Sequence, residues 1–261
     1  MSGSELNLQG KRVLITGGAS GIGRSTAEQL IAYGATVVIA DLSEETLGAA
    51  QDTIGAHGIH AGDVTREDDC RAMVSATIAQ CGGIDALVNC AGISDKVAPA
   101  VELAIEDWQR IVDVNLRGSF LMARTAGREM IAQRHGSIVN VSSIYGVVGV
   151  PYRHAYGPAK AGVAMLTRNL ACEWGTAGVR VNAIAPGYIA TPMTERQIRE
   201  GIIDMSRLEA RTPMGRFGTP REVANVAAFL VSELSSYITG AILPVDGGWT
   251  AFGGAAGGTT P

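Results

Sequence analysis

Five short runs rich in β-branched and apolar residues recur along the chain, and the rhythm they set narrows the available folds more than any other feature. The runs are "KRVLIT" (11–16), "ATVVIA" (35–40), "DALVNC" (85–90), "GSIVNVS" (136–142) and "VRVNAIA" (179–185). Each has the length and composition of a buried strand. Between them lie segments such as "GIGRSTAEQLIAYG" and "EDDCRAMVSATIAQCG", which carry apolar residues at helical spacing and stop at glycine. Strand and helix in strict alternation build a parallel sheet covered by helices on both faces. The expected class is therefore α/β, a Rossmann-type doubly wound sheet in three layers. Composition agrees: 46% of residues are hydrophobic and only 5% aromatic, with 34 glycines for tight turns. No low-complexity linker divides the chain, so residues 1–261 are read as one domain. A last strand is expected at 240–248, followed by a glycine-rich tail, 252–261, that holds no structure of its own. The stretch 187–218, charged and helical in its middle, follows a strand end where open α/β sheets bind ligands, and it is expected to serve as a substrate lid.

A formal net charge of −4, with both signs spread along the sequence, leaves no basic stripe for nucleic acid or an anionic membrane. A small molecule is the expected partner. Cys70, Cys81, Cys90 and Cys172 have neither CxxC nor His-paired spacing, so no metal site and no disulfide framework is expected. The opening "MSGSELNLQG" lacks a charged start followed by an apolar stretch, and no run of about 18 apolar residues occurs. These features point to a cytoplasmic protein with reduced thiols.

"TGGASGIG" (16–23) follows the first strand and opens a helix. In that setting Gly17, Gly21 and Gly23 let the backbone approach a pyrophosphate, and the helix amino end supplies N–H donors. Asp41 closes the second strand 18 residues after Gly23. There a carboxylate can accept the hydroxyls of an adenosine ribose and repel a 2′-phosphate. Leu42 follows it and Ser20 precedes Gly21, so no cation is evident for such a phosphate, and NAD is expected over NADP. Asp41 could instead cap the helix that begins near Ser43.

In "AYGPAK" (155–160), Tyr156 and Lys160 stand four positions apart and share a helix face, with Pro158 tolerated in the first turn. A lysine about 4 Å from the phenol contributes up to roughly 4 kcal/mol toward the phenolate at an effective dielectric of ~20. That expectation makes Tyr156 a proton exchanger for an alcohol or carbonyl. Ser143, thirteen residues earlier at a strand end, would face the same crevice and orient the substrate oxygen. Ser142 would point to the opposite face.

Taken together, these motifs resemble those of the short-chain dehydrogenase/reductase family over nearly the whole chain. The family's TGxxxGxG loop matches Gly17, Gly21 and Gly23, with Ser20 and Ile22 in the same cradle, and its YxxxK pair matches Tyr156 and Lys160. The resemblance implies that Asn115 in "DVNLRG" bends a helix and holds a water leading to the lysine. It implies adenine contacts from Asp63 and Val64, and ribose contacts from Asn89, Ala91 and Gly92 in "NCAG", where the family usually has NNAG. It implies a nicotinamide site at Pro186, Gly187, Ile189 and Thr191 in "PGYIAT". The implied catalytic set is Ser143, Tyr156, Lys160 and Asn115. A homotetramer is implied too, with "SYITGAILPVDGG" as interface.

Substrate choice is expected to rest on Ser94, Ile144, Tyr145, Val150, Tyr188 and Met193. Arg153 and His154 are read as ordinary residues of the loop leading into the helix, with contact to a polar substrate as the alternative. The resulting expectation is an NAD-dependent dehydrogenase of a small secondary alcohol, plausibly a polyol or sugar. Its rivals are a 3-oxoacyl thioester reductase using NADPH, against which Asp41 argues, and a non-catalytic nucleotide-binding scaffold, which would not need the four catalytic residues together.

Overall fold

Every strand expected from the sequence forms, and one more joins them. The computed structural model describes residues 6–254. Its first half runs β1 (Arg12–Thr16), α1 (Gly21–Ala32), β2 (Thr36–Asp41), α2 (Glu44–Ile54), β3 (Gly58–Ala61), α3 (Glu67–Cys81) and β4 (Ala86–Asn89). Then come α4 (Ile105–Val112), α5 (Gly118–Gln133), β5 (Gly136–Val141), α6 (Tyr156–Trp174) and β6 (Val179–Pro186). The chain closes with α7 (Pro192–Arg199), α8 (Met205–Arg211), α9 (Pro220–Val231) and β7 (Ile242–Val245). The unexpected strand is β3, whose "GIHA" is four residues long, mostly half-buried and at the sheet edge. It carries only one β-branched residue, so no run announces it. The expected tail from 252 lies outside the described residues from position 255 onward.

All seven strands pair in parallel in the order β3-β2-β1-β4-β5-β6-β7. The chain moves outward from β1 to β3, then returns to place β4 on the other edge of β1. Alternate residues of each strand enter opposite cores. Val13 and Ile15 pack with α1, α2 and α9, including Ala27, Leu30, Leu47, Val223, Ala227 and Leu230. Leu14 packs the other way with α3, α5 and α6, among them Met73, Met122, Met130, Leu170 and Trp174. Each such fully buried side chain contributes on the order of 2 kcal/mol, which explains why the strands read as continuous apolar runs.

The amino edge of the sheet is tied by one buried carboxylate. Asp85, 6% exposed, accepts bonds from Arg12 Nε at 2.6 Å, Arg12 Nη2 at 2.7 Å, the Arg12 backbone N–H at 2.8 Å and His135 Nε2 at 2.6 Å. Burial pushes this carboxyl up, but the Arg12 bonds outweigh that and hold it below the usual range. Replacing Asp85 with Ala strands the guanidinium, and a loss of about 2–3 kcal/mol is expected in urea unfolding. A loss below about 1 kcal/mol would show that solvent reaches Arg12 well enough to replace the pair.

Candidate active site

The reversal of strand order opens a crevice at the carboxyl ends of β1 and β4, the place where open α/β sheets bind ligands. A cavity of about 990 Å³ fills it. Two glycines shape its entrance. At Gly17, φ is +65° and a Cβ would sit 2.8 Å from the Ala91 backbone nitrogen, while a Cβ on Gly23 would collide with the Gly17 carbonyl. The loop is thus wound onto itself and against β4. Ser20 stands at the N-cap of α1 without a side-chain capping bond, and the first turn has no acidic residue, so the helix end keeps its positive potential for a ligand.

Asp41 lines the far end of the cavity, accepting the Ala19 N–H at 3.2 Å and the Leu42 N–H at 2.8 Å. The capping role open in the sequence falls instead to Ser43, which accepts the Thr46 N–H at the start of α2. Leu42, Asp63 and Val64 line the same end, and Asp63 braces its loop through Thr65 N–H and Oγ1, both at 2.8 Å. The cations among the lining residues, Lys160, Arg110 and Arg117, come from other elements, α6, α4 and the turn after it.

At the reacting end, α4 does not run straight into α5. A π turn over Asp113–Arg117 intervenes, a device common at functional sites, and it carries Asn115 into the interior. Asn115 Nδ2 donates to the carbonyls of Ile93 at 2.9 Å and Ile111 at 3.0 Å, leaving Oδ1 buried without a partner. A Cβ on Gly92 would lie 2.7 Å from that Oδ1 and 3.5 Å from Lys160 Nζ. Asn115 and the lysine therefore converge beside the Gly92 backbone.

Lys160 Nζ donates to the Val141 carbonyl at 2.8 Å and sits 5.5 Å from the centroid of the Tyr156 ring. Burial pushes the lysine down to about 8 and the Tyr156 phenol up to about 12, where the Ser143 hydroxyl draws it back only in part. The expected lowering of the phenol by the lysine is therefore corrected: the ammonium is turned to a carbonyl and lies over the ring, and desolvation dominates. Ser142 Oγ donates to the Lys160 carbonyl at 2.8 Å, behind the site, whereas Ser143 Oγ accepts the Tyr145 N–H at 3.2 Å.

The cavity wall includes Gly17, Ser20, Gly21, Ile22, Gly23, Asp41, Leu42, Asp63, Val64, Ala91, Gly92, Asn115, Tyr156, Lys160, Thr191 and Met193. Thr191 also caps α7 by accepting the Thr194 N–H. Other expected residues sit behind the wall. Asn89 is buried and donates to Asn140 Oδ1 at 2.9 Å, Ile144 is packed inside, and Ile189 is buried with its backbone bridged to Gly218. Pro186 ends β6, and the N–H of the following Gly187 bonds the Val245 carbonyl.

An aromatic wall extends from Tyr156. Its ring lies 6.0 Å from Tyr145, which lies 6.1 Å from Tyr188, and their hydroxyls meet at 2.8 Å. Tyr188 in turn packs on Phe217 at 5.6 Å and Trp249 at 5.9 Å. Phe217 and Trp249 went unrecognised in the sequence, since nothing local marks residues so far along the chain as neighbours of Tyr188. Val150 lies outside this wall.

Arg153 is no ordinary loop residue. Its Nη1 lies 2.9 Å from Asp95 Oδ1, with side-chain exposures of 6% and 2%, and Asp95 Oδ2 accepts the Tyr156 N–H at 3.0 Å. A buried ion pair thus holds the first residue of α6. His154 takes part only through its carbonyl, which accepts Trp108 Nε1.

The cradle at α1, the orphaned Asn115 Oδ1 and the acidic far end together fit a nicotinamide dinucleotide. A family model described as enoyl-(acyl carrier protein) reductase matches residues 17–250. A 3-oxoacyl-[acyl-carrier-protein] reductase of Thermotoga maritima is 42% identical, covering 93% of this chain and 99% of that protein. A cis-4-hydroxycyclohexanecarboxylate dehydrogenase of Sinomonas cyclohexanicum is 43% identical, over 91% of this chain and 96% of its own. The crystal structure of a levodione reductase superposes with a TM-score of 0.90 at 37% identity, over 93% of this chain and 98% of that one. The chain belongs to the short-chain dehydrogenase/reductase family. It is an oxidoreductase of alcohol and carbonyl groups that works with a nicotinamide cofactor.

The buried pair makes a sharp stability prediction. Asp95→Ala leaves the Arg153 guanidinium uncompensated and should cost about 4 kcal/mol in urea unfolding. The double variant Asp95→Leu with Arg153→Met should cost clearly less than the single, because no buried charge is left over. Equal losses would mean that the pair acts through packing alone.

Proposed function

We propose that the protein is an NAD(H)-dependent dehydrogenase of a small secondary alcohol built on a ring, such as a cyclic alcohol, cyclic polyol or sugar, acting reversibly with the ketone. The observation that carries this reading is the polarity of the main cavity, with Asp41 at one end and Tyr156, Lys160 and Asn115 at the other. A carboxylate at the ribose end accepts two hydroxyls and repels a 2′-phosphate, which favours NAD over NADP. An apolar cluster of aromatic rings from Tyr145 to Trp249 adjoins Tyr156, and the Sinomonas cyclohexanicum relative is named for a hydroxylated six-membered ring.

When bound, a nicotinamide dinucleotide would supply hydride exchange with the carbinol carbon. The chain's own residues manage the proton and the geometry. Ser143 donates to the substrate oxygen and holds it against Tyr156. Tyr156 takes the hydroxyl proton in oxidation and gives it back in reduction. A phenol pushed up by burial needs positive charge to act as a base; Arg153 draws it down in part, and an oxidised cofactor would itself be cationic. Lys160 holds the cofactor ribose, and Asn115 supports the proton path behind it. Gly17, Ser20, Gly21, Ile22 and Gly23 cradle the pyrophosphate. Residues 187–218, carrying α7 and α8, serve as lid: Gln197 Nε2 on α7 donates to Ser94 Oγ at 2.7 Å and so ties this segment to the loop after β4. Among the described residues no helix is long and apolar enough to cross a membrane. A cytoplasmic homotetramer is part of the proposal, with the exposed Tyr237 in its interface.

A second reading, reduction of 3-oxoacyl thioesters with NADPH, is favoured by the name of the Thermotoga maritima relative and opposed by Asp41. Absorbance at 340 nm decides between them, with cyclic alcohols, sugars and 3-oxoacyl thioesters offered in turn with each cofactor. Tyr156→Phe is expected to lower kcat by about 10²–10⁴-fold while NAD affinity by titration stays within a few fold of the parent. Near-normal turnover would remove Tyr156 from its role. Asp41→Ala is expected to raise the NADP to NAD ratio of kcat/KM by about tenfold or more, since one repulsion worth at least 1.4 kcal/mol has gone. An unchanged ratio would leave Asp41 as a brace for the glycine loop only.

A further inference from the structure

Beside the main cavity lies a second chamber of about 640 Å³, set between α4 and α7. Ile93, Arg110, Pro192 and Met193 line both spaces, so the two communicate at the substrate end. The other lining residues of the chamber are Ser94, Arg196 and Arg199. Three of its seven lining residues are guanidinium groups, and none is a carboxylate. Arg196 and Arg199 are three apart on α7 and present to one face, while Arg110 projects from α4 across from them.

These arginines are poorly compensated. Arg196 has Glu200 at 3.9 Å, with both side chains more than half exposed, and such a contact is weak. Arg110 and Arg199 form no ion pair among the described residues, although Glu106 lies one turn from Arg110 on the same helix. The nearby carboxylate of Asp107 on α4 also feels the charge of Arg110, but its contact is with Lys96 of the loop after β4, at 2.8 Å. The chamber also borders the reacting centre. Ser94 Oγ is 3.4 Å from Arg153 Nη1, and the next residue, Asp95, accepts the Tyr156 N–H. A small substrate with its alcohol at Tyr156 would reach this chamber with its other end.

We propose that the substrate carries an anionic oxygen group, a carboxylate or a phosphate, which Arg110 holds from α4 and Arg196 and Arg199 hold from the lid. The guanidinium fork matches both groups in geometry and charge. Because the three arginines come from two elements, binding of the anion draws α7 toward α4 and closes the lid over the cavity. This inference rests on the alcohol dehydrogenase reading and narrows its substrate class to hydroxy acids or phosphate esters.

The test is calorimetric titration of the full-length protein, saturated with NAD, using three ring probes: cyclohexanecarboxylate, cyclohexyl phosphate and neutral cyclohexanecarboxamide. At least one anion should bind ten times or more tighter than the carboxamide at 50 mM NaCl, and the preference should shrink at 500 mM. The anion that binds better tells carboxylate from phosphate. In the variant Arg110→Met with Arg199→Met, the preference should vanish. The salt series needs no variant, so a misfolded mutant does not rescue the idea. Equal binding of all three probes, or a preference that survives in the double variant, overturns it. Cyclohexanol oxidation by the parent protein separates this result from the broader reading. Turnover without any anion preference leaves the dehydrogenase standing and removes the arginine site. Anion preference without turnover of any alcohol or ketone does the reverse.

Discussion

The pairing of β1 with a parallel neighbour on each edge is the constraint from which the rest of the molecule follows. Five residues, Arg12–Thr16, register against Thr36–Ala40 on one side, and Val13–Thr16 register against Ala86–Asn89 on the other. Parallel neighbours demand crossover connections, and those connections run in opposite directions from β1. The helices after β1 and β4 therefore part company, and a crevice remains between them. The glycine loop, the amino end of α1 and the "NCAG" turn are brought together by that pairing and by no local preference of their own.

Two buried carboxylates mark the two edges of this sheet and do different work. Asp85, at the amino edge, gathers Arg12 of β1 and His135 of the turn before β5 and serves stability. Asp95, at the carboxyl edge, pairs with Arg153 and grips the backbone of Tyr156. Behind the catalytic face, Asn89, Asn140 and Thr167 form a buried chain of hydrogen bonds across β4, β5 and α6. Groups that line the cavity are thus held by groups that do not. The exception is Asn115 Oδ1, buried and unpartnered on a residue of the cavity wall.

Charge is distributed along the cleft with the same logic. Asp41 and Asp63 line one end of the cavity, and Lys160 stands with Tyr156 and Asn115 at the other. Beyond Lys160 the arginines of α4 and α7 extend the positive field along the second chamber. A ligand is therefore oriented end to end before any single contact forms.

The sequence by itself determined the periodic content of this protein. Six of the seven strands, the glycine loop, Asp41 and the Tyr156–Lys160 pair were legible because each depends on residues adjacent in the chain or one helical turn apart. The edge strand β3 was not, since four half-buried residues carry almost no period. Only the tertiary structure decided what lies between distant segments. Arg153 finds Asp95 58 positions away, Tyr188 finds Trp249, and Arg110 faces Arg199 across a chamber. It also decided the ionisation of Tyr156, because the desolvation that raises its pKa belongs to the packed interior and not to the i, i+4 spacing of the pair. Local spacing encodes local geometry, whereas burial and long-range pairing exist only once the sheet has folded around them.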